Sequence, residues 1–325
     1  MNEQKDGFLH CYLLNGQGAG EKIDAQSLGQ WSPEQGVLWV HLDVNDDNSR
    51  DWLLNVSGVQ GEVADAMLAE ETRPRSLAMD QGLLVVLRGV NTNPGADPED
   101  MVSIRIWIEA DRIITTRRRR VLSVQDVLDS LDKGDGPHSP GEFLAILVER
   151  LANRIGDFVD GIEEQLGESE DNVLSQDSAT FRRSLGALRR QMASVRRFLA
   201  PQRDALDRLY RQPGVLLSDR ETRYLREESD RITRYLEDLD LARERAVVLQ
   251  EEFLGQLAQE QNARMYVLSV VAAIFLPLTF ITGLLGMNVG GLPGMESPIG
   301  FLTSVVVMVG AAVLLLIYFR WKKWL

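Results

Sequence analysis

The chain has 325 residues and a formal net charge of −13; residues 261–325 hold four basic residues and one acidic residue, which leaves −16 on residues 1–260. An acidic surface of this kind repels nucleic acid and concentrates cations, so we expect no nucleic-acid partner, although ordinary cytoplasmic solubility explains the charge equally well. Cys11 is the only cysteine and the three histidines are far apart, which excludes a disulfide framework and a cysteine-based zinc cluster. The first residues lack an apolar segment, so we expect no signal peptide and a cytoplasmic soluble part.

Residues 1–135 alternate strand-like runs with turn signals and predict a cytoplasmic α/β domain. Strands are predicted at 8–14, 37–42, 83–90, 102–110 and 112–116, and short helices near 49–54 and 59–69. We expect a mixed or largely antiparallel sheet.

Residues 117–120 are four consecutive arginines. They indicate a solvated strand end that pairs with nearby acids, or else a contact for lipid headgroups or a neighbouring subunit.

Residues 136–217 predict a cytoplasmic helical hairpin, with helices at 142–167 and 178–211 that end before Pro213 and Gly214. Ser218 is a good helix N-cap, and the next proline is Pro277. We therefore predict one helix over 218–285, about 100 Å long, whose stalk occupies 218–264.

Apolar residues recur every seven positions along this stalk. They are Leu225, Ile232, Leu239, Ala246 and Phe253. Such a repeat is typical of a coiled-coil seam, and a soluble domain does not need so long a helix for its own core. The stalk therefore suggests self-association.

Two uncharged apolar runs, within 265–285 and 299–319, each have the roughly 20 residues needed to cross a bilayer. Arg264 precedes the first run and the basic tail 320–325 follows the second, whereas the loop 286–298 has no basic residue. The positive-inside rule then places both termini in the cytoplasm and this loop outside. A multi-pass membrane protein is predicted.

The first span has polar or small residues on one side. At about 100° per residue, a narrow stripe is formed by Asn262, Met265, Tyr266, Ser269, Ala273, Leu276, Phe280 and Gly283. Polar groups inside a membrane usually face protein or water, but packing between helices welcomes small residues equally. The stripe is therefore a candidate pore lining, with helix packing as the alternative.

Two helices cannot enclose a pore alone, whereas a ring of subunits can. Asn288 from each subunit would then offer an amide oxygen to the water shell of a hydrated divalent ion, so its role is an outer-shell one, through water. Mg²⁺ gives up its waters reluctantly and suits such a site. Zn²⁺ prefers His or Cys ligands, and the pathway has neither.

The order of an α/β domain, a long stalk helix, Gly286-Met287-Asn288, a short acidic loop, a second span and a basic tail resembles the CorA superfamily of divalent-cation transporters. Residues 286–294 are particularly similar to its ZntB-like zinc-transporter branch. The resemblance implies an α/β cytoplasmic domain with an α-helical stalk and two transmembrane helices, assembled as a homopentameric funnel. It also implies the bacterial inner membrane, Zn²⁺ as transported substrate with no resident cofactor, and proton-coupled uptake.

The resemblance assigns roles to particular residues as well. Gly286, Met287 and Asn288 would form the selectivity entrance, and Glu296 would contribute to a periplasmic acidic ring. Thr279 would line the pore, although it lies at about −100° from Asn262 on the helix projection. Arg320, Lys322 and Lys323 would form a basic collar at the cytoplasmic mouth.

Two questions stay open at the level of sequence. No Asp, Glu or His lies between Met265 and Val289, so the spans supply no conventional proton relay, and a passive channel is physically simpler than coupling. The alternatives to zinc transport are a CorA-like Mg²⁺ or Co²⁺ channel and a membrane-anchored oligomeric scaffold or sensor. No phosphate loop, nucleophile elbow or metal-hydrolase motif is visible, so an enzyme is not expected.

Overall fold

The structure is a computed structural model that describes residues 7–172, 177–287 and 298–322. The chain divides into two compact units, Met1–Gln250 and Glu251–Leu325. The first contains a seven-stranded sheet in the order β2-β1-β3-β7-β6-β5-β4. Its strands are β1 Phe8–Leu14, β2 Gly20–Lys22, β3 Val37–Asp43, β4 Arg75–Met79, β5 Gly82–Gly89, β6 Val102–Ile108 and β7 Arg112–Arg117. Neighbours pair antiparallel except β3 and β7, which are parallel.

The mixed, largely antiparallel sheet predicted from the sequence is confirmed, and all five predicted strands are present. Two strands were missed, β2 and β4, and these are the two edges of the sheet. β2 is only three residues long, Gly20–Lys22, and two of them are exposed. An edge strand buries few of its residues. Its sequence therefore carries little of the apolar pattern that predicts a strand.

Helices cover both faces of the sheet. They are α1 Asp47–Asp51, continued by a π-helical turn Trp52–Val56, then α2 Gly61–Leu68, α3 Leu122–Lys133, α4 Pro140–Asp171 and α5 Ser178–Arg211, with short 3₁₀ turns at Ala25–Gln30 and Pro33–Gln35. Val40 of β3 belongs to a core with Leu53 and Met67 on one face. Trp39 points to the other face, where its ring centroid lies 4.8 Å from that of Phe143 on α4. Successive strand residues thus serve opposite cores.

Helix α3 was not predicted, although four buried apolar residues mark it at helical spacing: Val124, Val127, Leu128 and Leu131. The two long helices of the hairpin were predicted correctly. α5 has the predicted limits, and α4 begins at Pro140, where the Ser139 hydroxyl caps the helix by accepting from the Glu142 amide at 3.0 Å.

The last element of the first unit continues into the second: α6 spans Asp219–Leu285, one residue shorter than predicted. A capping box holds its start. The Ser218 amide donates to the Glu221 carboxylate at 2.6 Å, and the Glu221 amide donates to the Ser218 hydroxyl at 3.4 Å. The reciprocal pair satisfies two amides that would otherwise lack partners at a helix start.

The coiled-coil interpretation of the seven-residue repeat is wrong. Leu225, Ile232, Leu239 and Ala246 are buried within a single chain, because α4 and α5 pack along this part of α6. The Arg231 guanidinium donates to the Asn153 side chain of α4 at 2.7 Å, and Arg196 of α5 reaches Asp240 at 2.6 Å. Helices from one chain interdigitate with the same spacing as helices from two, so this repeat does not by itself indicate self-association.

The second unit holds the remainder of α6 and α7, Gly300–Trp321. Both helices are long and apolar enough to cross a membrane, and their most apolar windows are not buried within the chain. Large apolar side chains such as Val267, Leu268, Phe301 and Leu314 are more than half exposed. A surface of this kind requires lipid or other protein as its surroundings.

Candidate functional site

The candidate pore stripe lies on the part of α6 that belongs to the second unit. Nearly all of its residues are exposed: Asn262, Met265, Tyr266, Ser269, Leu276, Phe280 and Gly283. Thr279, which lies outside the stripe on the helix projection, is exposed too. Ala273 is half-buried. Leu276 and Phe280 are 75% and 69% exposed. The chain itself therefore leaves the stripe uncovered.

A different side of α6 is partly covered within the second unit. Val270, Ile274, Pro277 and Ile281 are half-buried, and at 100° per residue they centre about 105° away from the stripe. On α7 the half-buried positions also follow a helical period, including Ser304, Met308, Ala311 and Leu315. The covered side and the stripe are thus two distinct surfaces of one helix.

The stripe offers oxygen acceptors despite its apolar setting. The Ser269 hydroxyl donates to the Met265 carbonyl at 2.9 Å, which leaves the lone pairs of the hydroxyl oxygen free to accept. Pro277 lies inside the helix, and because proline has no N–H, the Ala273 carbonyl loses its usual helical partner. An unpaired carbonyl is costly in hydrocarbon, so both groups favour contact with water or a hydrated ion.

The predicted entrance begins directly after the last residue of α6. The Gly286 amide donates to the Thr282 carbonyl at 2.9 Å, and Met287 is exposed. Asn288 and Glu296, on which the entrance also depends, lie outside the described residues, so their predicted roles rest on the sequence.

The predicted basic collar is described for two of its three residues. Arg320 lies in the last turn of α7, and Lys322 follows the end of the helix. The Lys322 ammonium lies 5.5 Å from the centre of the Trp321 ring, an arrangement that holds a cation beside an aromatic of the kind found at membrane interfaces. Lys323 lies outside the described residues.

Comparison with known proteins decides the family. Residues 34–323 match the family described as CorA-like Mg²⁺ transporter protein. The chain belongs to this family. It is 39% identical over 323 residues to the divalent cation transporter CmaX of Pseudomonas aeruginosa, covering 98% of this chain and 97% of that protein. It is also 35% identical over 325 residues to the zinc transport protein ZntB of Pectobacterium carotovorum, covering 99% and 97%.

The fold agrees with the family as well. The structure of the full-length CmaX protein superposes with a TM-score of 0.86 at 37% identity, covering 100% of both chains. A soluble domain with a sheet, one long helix and two candidate transmembrane helices is therefore the architecture of this CorA-like chain, as the sequence predicted.

The soluble unit contains a histidine pair that sequence spacing did not reveal. His10 and His41 are partners across β1 and β3, and their rings stack with centroids 5.8 Å apart. Burial, together with the positive charges of Arg117 and Lys22, lowers the pKa of His10 to about 4. Burial also lowers the pKa of His41, with Arg117 adding to the effect. Both rings are therefore neutral at pH 7.

The surroundings of this pair disfavour a metal ion. Arg117 repels a cation there, and Cys11 lies in the core on the opposite face of the sheet, as its position next to His10 predicts. Burial raises the pKa of the Cys11 thiol to about 12, which disfavours the thiolate that binds metals. Among the residues that the structure describes, no group of three or more His, Cys, Asp or Glu side chains is placed to hold a metal ion.

An acidic cavity of about 620 Å³ lies where α4 and α6 begin, a second feature that the sequence did not reveal. Three of its five carboxylates have partners in the chain. Glu142 contacts His138 at 2.8 Å, Glu221 accepts from the Ser139 hydroxyl at 2.6 Å, and Glu228 contacts Arg231 at 3.0 Å. Burial raises the pKa of Glu228. The bond between Ser139 and Glu221 joins the starts of α4 and α6, which is a structural role.

Proposed function

We propose that this protein carries divalent metal cations across a membrane, with Zn²⁺ as the transported ion, through a pore formed by five copies. One observation carries the proposal: within a chain of the CorA-like family, the stripe that includes Ser269 and Leu276 stays uncovered on a membrane-length helix. A helix that only anchors the protein does not need polar acceptors on one side, whereas a helix that lines a water-filled pore does.

The proposed route follows the chain from outside to inside. Gly286, Met287 and Asn288 form the outer entrance, where the Asn288 amide contacts the ion through its water shell, and Glu296 adds negative charge there. Leu276 and Met265 are apolar constrictions that gate the path by dewetting. The collar formed by Arg320, Lys322 and Lys323 surrounds the cytoplasmic mouth. In this arrangement both termini are cytoplasmic, the protein crosses the bacterial inner membrane twice, and it has no resident cofactor.

Zinc is favoured by the similarity of residues 286–294 to the zinc-transporter branch and by the ZntB relative. A second candidate, a CorA-like Mg²⁺ or Co²⁺ channel, is favoured by the description of the matched family and by the outer-shell chemistry of a neutral amide. The CmaX relative is named only for divalent cations. The two candidates differ in the ion that dominates the flux.

Proton coupling of the transport has no carboxylate or imidazole within the described spans to carry it. The segment between Met265 and Val289 has no titratable carboxylate or imidazole, so coupling would depend on Glu296, on carboxylates of the soluble unit or on bound water. A passive channel needs none of these groups. A pH gradient across the membrane separates the two mechanisms, because only a coupled transporter responds to it at a fixed metal gradient.

The test is metal flux into liposomes that contain the purified full-length protein. We expect Zn²⁺ uptake to exceed Mg²⁺ uptake, and we expect Asn288→Ala to lower uptake at least about tenfold, the effect of losing roughly 1.4 kcal/mol of ion stabilisation. Asn55→Ala is the matched control, because Asn55 is an exposed residue that bonds only Asp51 of its own turn. Dominant Mg²⁺ flux would select the second candidate. Unchanged uptake in Asn288→Ala would remove Asn288 from the route, and uptake by the wild type no greater than in protein-free liposomes would favour a membrane-anchored scaffold.

A further inference from the structure

One face of α5 carries arginines and small residues in a seven-residue repeat. We call it the α5 arginine face and define it by Arg183, Gly186, Arg190, Ala193, Arg197 and Ala200. The three arginines are exposed. None of them forms an ion pair with an acidic residue in the described part of the chain. This face therefore presents unneutralised positive charge on a protein that is acidic overall.

One face of α6, within the first unit, shows the opposite pattern. We call it the α6 acidic face and define it by Glu237, Leu241, Glu244 and Val248. Leu241 and Val248 are 56% and 55% exposed, although the buried seam of the same helix lies on the other side. Neither glutamate has an ion-pair partner among the described residues. Exposed apolar side chains between free carboxylates indicate a surface that another element covers.

The two faces match in spacing, charge and size. Seven residues of helix advance about 10 Å, so arginine repeats on α5 at the same distance as glutamate repeats on α6. Between the charges, α5 has glycine or alanine where α6 has leucine or valine. A groove of about 240 Å³ runs beside Ala193, with Met192 and Leu239 as apolar lining and Arg196, Arg197 and Arg243 around them. An apolar side chain flanked by carboxylates suits this groove.

The two faces do not meet within one chain. α5 contacts its own α6 through the arginines that come one residue earlier: Arg196 bonds Asp240 at 2.6 Å and Arg189 bonds Gln250 at 2.6 Å. One residue is about 100° of rotation around a helix, so Arg190 and Arg197 point away from that contact. The α5 arginine face and the α6 acidic face are both left for a partner.

We propose that the α5 arginine face of one copy docks on the α6 acidic face of a second copy. Each copy has one face of each kind, so the contact is head-to-tail, and repeated rotation can close it into a ring. The inference rests on the self-assembly in the proposed function and adds which surfaces meet. Arg190 and Glu244 are the central charges of the two faces.

Charge reversal is the first test, on the full-length protein in detergent. We expect R190E and E244R each to raise the protein concentration needed for half-assembly at least about tenfold, because like charges then face each other. The double variant R190E/E244R should restore assembly, since the pair is again opposite. Arg50→Glu is the control, because it makes the same charge change at the exposed Arg50, 4.0 Å from Asp47 in its own turn. Light scattering or mass photometry gives the particle mass.

Disulfide trapping is the second test and separates contacts between copies from contacts within one. Cys11 is buried, so it gives little background when R190C and E244C are combined. We expect oxidation to produce covalently linked copies, seen as a ladder of masses, and each single variant to give none. Intramolecular linkage without a ladder would overturn the inference.

The inference and the proposed function fail differently. Suppose that the wild-type protein assembles and carries metal, that R190E and E244R keep the wild-type mass, and that the cysteine pair gives no ladder. The proposed docking surfaces are then wrong, but the proposed pore is not contradicted. If the wild-type protein stays a single chain in lipid, both are wrong.

Discussion

The two parts of α6 make opposite use of the same helix. In the first unit its seven-residue apolar repeat is covered by α4 and α5 of the same chain, and Leu239 is 1% exposed. In the second unit the helix keeps large apolar residues outside, and Leu276 is 75% exposed. Helical propensity and length do not distinguish the two parts. What distinguishes them is whether the chain supplies a partner for the apolar face.

The difference shows which part of α6 finds its packing partners within one chain and which part does not. The hydrophobic effect stabilises the first part within one copy, because burial there removes apolar surface from water. In a bilayer the second part gains little from burying apolar surface, since lipid is as apolar as leucine, and its association depends on packing and polar contacts. Substitutions in the first part should therefore change stability, and substitutions in the second should change membrane insertion or flux.

The largest effect is expected for Leu239→Ala. It removes a fully buried side chain and leaves a cavity, which costs about 2–5 kcal/mol of the free energy of unfolding. Chemical denaturation of the full-length protein in detergent measures the loss. Leu54→Ala is the matched control, because Leu54 is a leucine of the same unit that is 47% exposed and lies outside both proposed docking faces. Its cost should be within about 0.5 kcal/mol. Equal costs for both would mean that the seam is not covered by the chain itself.

Substitutions at two phenylalanines test which side of the membrane part of α6 faces lipid. Phe275 and Phe280 are similarly exposed, at 62% and 69%, but lie about 140° apart around the helix. We expect Phe275→Gln to lower membrane insertion by about 1–3 kcal/mol, the cost of an amide facing hydrocarbon. Phe280→Gln, on the stripe, should insert normally and change metal flux. Insertion is measured by the glycosylation or protease protection of a tagged loop. If Phe280→Gln lowered insertion and Phe275→Gln did not, the stripe would face lipid.

The smallest effect is expected from pH, through the histidine pair of the first unit. The pKa of His10 falls from 6.5 to about 4 on folding, so the folded state favours the neutral ring. The stabilisation is complete above pH 6.5 and is lost as the pH falls toward 4. We expect a loss of about 1–2 kcal/mol between pH 7 and pH 4.5, discounted for the partial exposure of the ring.

His10→Gln removes one ring of the pair and should flatten this part of the pH dependence, measured as the thermal unfolding midpoint of the first unit's transition. His138→Gln is the control, because His138 is exposed beside Glu142 and does not belong to the pair. A pH profile of His10→Gln equal to that of the wild type would contradict a role for the pair.

Local patterns predicted most of the elements. The strand-like run at 102–110 marked β6, Ser218 marked the start of α6, and the uncharged runs marked both candidate spans. The edge strands β2 and β4 were not predicted, because an edge strand buries few residues and so has little apolar pattern in its sequence. The candidate stripe was also deducible, since helical geometry alone places Ser269 and Leu276 on one side.

The sequence by itself determined the family, the order of most elements and the helical faces, because these depend on composition and on spacing along the chain. Only the tertiary structure decided which face meets which partner. It placed α4 and α5 on the seven-residue repeat of α6, and it brought His10 against His41 from a different strand. An apolar repeat specifies that a face must be buried, but packing in three dimensions decides whether the same chain, another copy or lipid buries it.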